Sequence, residues 1–401
     1  MSADINLCYM MNVYPDNPFW WRWKVPLPQD LFNRFCAVML GRSLVNSFVC
    51  ARGNFSLKKY RRYRKRLKAL RREFYRCPPL VEEIHRACSR DLPSISVPLA
   101  LISQIQRSGG SLLSQLFDGH PQLYAHPYEM KIGFPKKDNW PQFDMKDPPE
   151  RWFEMLFEED VIRHFKHGYE KGQKDGRTFA FIFLPALQRR IFLDCFNGRT
   201  APSPREIIDA YMTSYFGAWL NNHNGGPGKK YITAFTPRLG ARLENIRSFF
   251  SVYPDGRLIS IVRDPMNWYP SARGHETAKN KYADIRKSLA QWNENALAMV
   301  RNKREFGASV LLIRFEDLVG KTEAVMRGVA EFMQIEYHSI LLEPTFNKAA
   351  IKANTSFRHE DGRILAGTLQ RHERLTVEER DVIAATTADV YAQVLAETAG
   401  F

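Results

Sequence analysis

The sequence predicts an α/β fold, with a mostly parallel central sheet flanked by helices, and three observations carry that expectation. From about residue 93 onward, short apolar runs alternate with helical patterns, which is the signature of strands joined by crossover helices. The runs at 99–104, 231–235, 258–262 and 310–314 have the length and predominant apolarity of buried strands. With 401 residues, 44% of them hydrophobic and 25% charged, the chain can bury a large core while keeping a soluble surface.

The first 92 residues read as an extension. They hold the aromatic cluster Phe19, Trp20, Trp21 and Trp23, followed by a segment from Ser56 to Arg76 with eleven basic residues and one acidic residue, Glu73. Within that segment Leu57, Tyr60, Tyr63, Leu67, Leu70 and Phe74 recur every three or four positions, so an amphipathic helix with a basic face is expected, ended by Pro78-Pro79. Such a helix either docks on the main domain by its stripe or lies on an anionic membrane surface through residues 56–76. No nucleic-acid docking motif accompanies it, so nucleic acid is not expected as a partner.

The strand at 99–104 leads through a glycine-bearing turn into a helix at 110–117. Residues 148–219 are mostly helical by pattern, with one short strand at 178–184, and are expected to form an insertion over the sheet's carboxyl edge. Helices at 239–250, 282–303 and 323–333 then alternate with the remaining strands. The expected domains are therefore 1–92 as a helical extension and 93–401 as the α/β domain, with 148–219 inserted.

Several classes are excluded or disfavoured by simple counts. No uncharged apolar stretch approaches the ~20 residues of a membrane-spanning helix, and the first residues carry no secretory pattern. The six cysteines, at 8, 36, 50, 77, 88 and 195, include no C-x-x-C pair and no zinc-ligand spacing, which suits reduced thiols in the cytoplasm. A net charge of +15 is concentrated in the extension, so it does not describe a basic surface over the whole chain.

Two stretches carry chemistry. The turn Gln106-Arg107-Ser108-Gly109-Gly110-Ser111 lies between a strand and a helix, where unpaired N–H groups and the helix dipole gather at one point and favour an anion. It lacks the G-K-[ST] ending of ATP- and GTP-binding loops, while Gly320-Lys321-Thr322 lacks the first glycine of that motif and reads as an ordinary helix start. The second stretch, 258–265, is a buried-strand run ending in Arg263-Asp264-Pro265, with Ser271 eight residues after the arginine. A guanidinium fork at the strand end and a hydroxyl one turn into the next helix make a receptor for a terminal phosphate.

In this order the two anchors resemble the sulfotransferases that use 3′-phosphoadenosine 5′-phosphosulfate (PAPS). Asp118-Gly119-His120-Pro121, Thr236-Pro237-Arg238 and Ile313-Arg314-Phe315-Glu316-Asp317-Leu318 are further matches, and the resemblance spans residues 97–357. It implies a P-loop NTPase-like fold and metal-free transfer of a sulfuryl group from PAPS to a hydroxyl, here on a carbohydrate or lipid-linked acceptor. The alternatives are a P-loop-like kinase and a non-catalytic protein that binds anionic lipid or polysaccharide.

The resemblance assigns the 5′-phosphosulfate to Arg107, Ser108, Gly109, Gly110 and Ser111, and the 3′-phosphate to Arg263 and Ser271. Asn354 and Ser356 correspond to a polar loop that closes over the nucleotide, and Trp268 offers an aromatic face near the second anchor. Glu129 is the expected base for the acceptor proton, with His126 as the alternative, while His120 is expected to cap the helix before it. Two positions depart from the family pattern: Gly110 replaces a common threonine, and Phe235 stands where several relatives carry a lysine on the bridging oxygen. Arg107, Lys230, Arg238 and a residue of the 148–219 insertion are the candidates for the missing cation.

Overall fold

The computed structural model describes residues 78–88, 94–103, 105–133, 139–174, 177–198, 202–274, 281–351 and 369–400. The aromatic cluster at 19–23, the basic segment 56–76, Asn354 and Ser356 lie outside the described residues. Along the chain these residues form α1 (Pro78–Cys88), β1 (Leu99–Ile102), α2 (Gly110–Phe117), β2 (Leu123–Glu129), α3 (Pro149–Leu156) and α4 (Asp160–His167). There follow β3 (Tyr169–Lys174), β4 (Arg177–Phe179), α5 (Pro185–Asp194), α6 (Pro204–Ala218), β5 (Tyr231–Phe235), α7 (Leu243–Val252) and β6 (Arg257–Val262). The rest are α8 (Pro265–Arg273), α9 (Ile285–Phe306), β7 (Val310–Arg314), α10 (Phe315–Gly320), α11 (Thr322–Phe332), the hairpin β8 (Thr345–Phe346) and β9 (Ala349–Ala350), and α12 (Val377–Glu397).

Two compact units result, one from Met1–Ser96 and Asp144–His223, the other from Val97–Phe143 and Asn224–Phe401. The helix expected to end at Pro78-Pro79 lies outside the described residues, and Pro78 itself opens α1, as proline does where the first N–H needs no helical partner. That helix docks on α5: His85 Nε2 lies 3.0 Å from Asp194, and Arg190 Nη1 lies 2.9 Å from Glu82. Ile95 N donates to Thr213 Oγ1 of α6 at 2.9 Å, so the end of the extension belongs with the helical middle.

The helical unit has an aromatic core. Phe181 and Phe183 stack with centroids 5.5 Å apart, Trp219 sits 5.1 Å from Phe181, and Tyr215 sits 5.0 Å from Phe183. The strand expected at 178–184 is shorter than predicted: β4 pairs antiparallel with β3, and Phe183 then makes an isolated bridge to Trp219. Helix α6 begins with a full capping box, Ser203 and Glu206 satisfying each other's backbone N–H groups.

The α/β unit contains a five-stranded sheet in the order β2-β5-β1-β6-β7, with every neighbouring pair parallel. Strand β1 is buried at all four positions because it is central and helices cover both faces, which is why its sequence runs apolar without alternation. Ile102 faces Phe235 of β5 on one side and Ile259 of β6 on the other, so the ends of β1, β5 and β6 share one edge. Leu113 and Leu116 of α2 join Ile102, Ile261, Val325 and Met326 in one buried apolar cluster. Each such side chain contributes about 1.5–3 kcal/mol by leaving water.

The sequence pattern missed strand β2, which contains Pro127. Proline removes a ladder donor, but β2 is an edge strand whose register shifts between Ala125 and Glu129, and such a place accommodates it. The C-terminal helix α12, flat in its apolar pattern, was also not anticipated. No helix among the described residues is long and apolar enough to cross a membrane.

Asp118, at the end of α2, clamps the β8–β9 hairpin to the sheet. Its carboxylate is buried and accepts from Thr345 Oγ1 at 2.8 Å, Lys348 N at 2.9 Å and Asn224 Nδ2 at 2.5 Å. Burial raises its pKa more than these donors lower it. Replacing the carboxylate by a methyl group strands three donors. Asp118→Ala is therefore expected to cost about 2–4 kcal/mol in urea denaturation, with the 345–350 amides losing hydrogen-exchange protection first.

Candidate active site

The turn between β1 and α2 is built for an anion. Arg107 and Gly109 both have positive φ, 74° and 95°, on either side of Ser108, and such alternation turns successive N–H groups to one side. The first N–H groups of α2 have no partner within the helix and add its positive end. Gly110 and the half-buried Ser111 form that first turn. Ser108 Oγ is fully buried and has no hydrogen-bond partner among the described residues, which marks a place for a ligand oxygen.

Gly109 is required on two counts. Its φ suits glycine, and a Cβ there would stand 2.4 Å from Phe315 Cδ2. The turn is braced through Gln106, whose carbonyl accepts from Trp268 Nε1 at 2.7 Å and whose side-chain oxygen accepts from Lys281 Nζ at 2.7 Å. Trp268 is 1% exposed and meets Tyr282 edge to face, so it supports the turn from beneath and offers no open face for stacking.

Strand β6 lies next to β1 and carries the second anchor to the same edge. Arg263, 3% exposed, directs Nη1 to Ser271 Oγ at 3.2 Å and to the Arg107 carbonyl at 3.4 Å. Its guanidinium lies 4.4 Å from the Phe315 ring centre, so one phenyl ring touches both anchors. Asp264 caps α8 by accepting from Met266 N at 2.7 Å, and Glu316 accepts from Asp264 N at 3.1 Å. The E-D-L stretch thus holds the strand end in place.

Arg371, which no sequence motif singled out, completes this anchor. Its Nη1 donates to Ser271 Oγ at 2.6 Å, and His372 N donates to Asn267 Oδ1 of α8 at 3.1 Å. With two guanidiniums donating to its oxygen, Ser271 keeps its own proton as a donor. Burial, then the charges of Arg371 and Arg107, push Arg263 down to about 9, only partly offset by Glu316. Burial and the charges of Arg374 and Arg107 push Arg371 down to about 10. Three crowded guanidiniums are costly alone and are matched by a multiply charged anion.

The opposite side of β1 holds the acceptor candidates. Glu129 ends β2, half-buried, in register with Phe235 of β5. His126 is 1% exposed, with Nδ1 2.9 Å from the Tyr128 carbonyl, in the middle of β2 rather than at its carboxyl end. Lys230 stands at the amino end of β5, on the far edge of a parallel sheet, and donates to the Gln334 carbonyl at 2.8 Å. It is therefore removed from the candidates for the missing cation. Arg238 follows the carboxyl end of β5 and is exposed. Thr322 Oγ1 bonds back to the Leu318 carbonyl at 2.8 Å, so the Gly320-Lys321-Thr322 stretch is a junction between α10 and α11. His120 accepts from Gln122 N at 3.1 Å and lies just past the end of α2. Among the described residues no group of three or more His, Cys, Asp or Glu side chains is arranged to hold a metal ion.

The family model described as "Sulfotransferase family" matches residues 98–339. No curated protein matches the chain. Among solved structures, the sulfotransferase domain from the Synechococcus PCC 7002 olefin synthase is 17% identical, with 78% of this chain and 98% of that one covered and a TM-score of 0.43. A sulfotransferase from Alicyclobacillus acidocaldarius is 15% identical over 75% of this chain and 96% of its own, with a TM-score of 0.40. Mouse sulfotransferase SULT7A1, complexed with PAP, is 12% identical over 77% and 89%, with a TM-score of 0.34.

Two substitutions test this geometry. Gly109→Ala is expected to lower stability by about 1–3 kcal/mol and to abolish calorimetric binding of 3′,5′-bisphosphoadenosine, because backbone and Phe315 both resist the methyl group. Arg263→Met removes one of three crowded charges while filling similar volume. Its melting temperature without ligand should equal or exceed that of the parent, while bisphosphoadenosine affinity falls by about thirty-fold or more.

Proposed function

Because more than half of it matches the family model, the chain belongs to the sulfotransferase family, and we propose that it moves a sulfuryl group from PAPS to a hydroxyl of a carbohydrate or glycolipid. The observation that carries the choice of donor is the approach of Arg263 Nη1 to the Arg107 carbonyl at 3.4 Å. Adjacent strand ends so close together suit the two phosphate termini of one adenosine nucleotide. The turn at 107–111 takes the 5′-phosphosulfate, and Arg263, Ser271 and Arg371 take the 3′-phosphate. Asn354 and Ser356 are assigned to the closing loop by resemblance alone.

In the reaction the acceptor oxygen bonds to sulfur as the bond from sulfur to the bridging phosphate oxygen breaks. That electron pair stays on the phosphate, and the acceptor proton passes to a base. Glu129 is favoured as this base over His126, because it lies at the carboxyl edge while the imidazole is enclosed. The N–H groups of the turn, with Arg107, oppose the charge that develops on the sulfuryl and phosphate oxygens. The acceptor class is supported by the basic, aromatic-rich extension, which suits an anionic membrane surface presenting lipid-linked sugar to a cytoplasmic enzyme.

The test is transfer of label from sulfur-labelled PAPS to a panel of glycans and lipid extracts. Glu129→Gln should lower kcat by about 10²–10³-fold, with bisphosphoadenosine affinity within twofold of the parent. If no acceptor is labelled and bisphosphoadenosine binds no better than AMP, the assignment is withdrawn.

A further inference from the structure

Sulfuryl transfer from PAPS leaves negative charge on the bridging oxygen, and at the end of β5, where the resemblance places a lysine for that oxygen, stands Phe235, apolar and 7% exposed. Arg263 is occupied at the second anchor, and Lys230 lies on the opposite edge of the sheet. We infer that Lys281, flanked by Arg238, supplies the cation at the bridging oxygen. The inference rests on the proposed PAPS chemistry and assigns to it a residue from outside the two anchors.

Lys281 stands just ahead of α9 and reaches the phosphate turn directly, its Nζ donating to Gln106 Oε1 at 2.7 Å. Tyr282 OH donates to the same oxygen at 3.3 Å, and the ammonium lies 4.9 Å from the Tyr282 ring centre. Gln106 directly precedes Arg107, so the ammonium is fixed at the entrance of the turn. One of its three N–H donors serves Gln106, and among the described residues no carboxylate forms an ion pair with it.

The charge that acts on Lys281 is itself positive. Lys281 is lowered by burial and then by Arg238, while the Tyr282 phenol, raised by burial, is drawn down by both Arg107 and Arg238. Arg107, Arg238 and Lys281 therefore surround one phenol at the mouth of the turn. Arg238 comes three residues after Phe235, on the side of β1 that carries Glu129. Cations gathered around one point without a carboxylate between them suit an anion on the turn. Lys281 and Arg238 are thus placed to receive the charge for which Phe235 has no group.

The test is a ³¹P NMR titration of bound 3′,5′-bisphosphoadenosine, whose 5′-phosphate carries the oxygen that bridges to sulfur in PAPS. Lys281→Gln keeps a donor for Gln106 and removes the charge. The 5′-phosphate pKa should then rise by about one unit while the 3′-phosphate signal stays unchanged, and Lys281→Arg should restore the parent value. A 5′-phosphate that titrates identically in parent and Lys281→Gln overturns the inference while leaving the sulfotransferase reading intact. Failure of the parent protein to bind the bisphosphate overturns both.

Discussion

Three guanidiniums, those of Arg107, Arg263 and Arg371, are held close together in largely buried surroundings, and the architecture around the sheet edge follows from that crowding. Their mutual repulsion is supported by Ser271 Oγ, which accepts from two of them, and by the Phe315 ring beneath Arg263. The same ring forbids a side chain at Gly109. A single phenylalanine therefore couples the shape of the phosphate turn to the position of the strand-end arginine. Loss of either contact would separate the two anchors that the proposed function assigns to one nucleotide.

The sheet order explains why these parts can meet at all. Strand β1 has β5 on one side and β6 on the other, so the turn after it opens between two different strand ends. The β6 side gathers fixed, buried cations. On the β5 side stand a half-buried carboxylate, an apolar Phe235 and exposed basic residues. Under the proposed function, that asymmetry separates a place for gripping the donor from a place for handling the acceptor's proton and the leaving charge.

Support for the site comes from residues whose function is indirect. Trp268 lies beside the second anchor, yet its ring is enclosed and its N–H holds the Gln106 carbonyl. Glu316 holds the backbone of Asp264 rather than a ligand. Asp118 accepts from Thr345 and Lys348 and so ties a short hairpin to the end of α2, while its other oxygen accepts from Asn224. Each is a polar group satisfied inside the protein, and each removes freedom from an element that borders the edge.

Local pattern was enough to reveal β1, β5, β6 and β7, because each is largely buried in a parallel sheet and leaves a short, mostly apolar run. It also revealed the glycine turn and the Arg263–Ser271 pair, since both depend on short spacings within one strand, turn and helix. Strand β2 was hidden by Pro127, tolerated only because that strand is at the edge. Arg371 was hidden because a hundred residues separate it from Ser271, and no periodicity records a contact of that span. The grouping of α1 with the helical middle, the enclosure of Trp268 and the removal of Lys230 to the far edge were likewise decided only by tertiary structure. Sequence determined which segments could bind an anion, because backbone conformation there is local. Folding alone determined which charges share the site, because electrostatic neighbours are set by strand order and not by position along the chain.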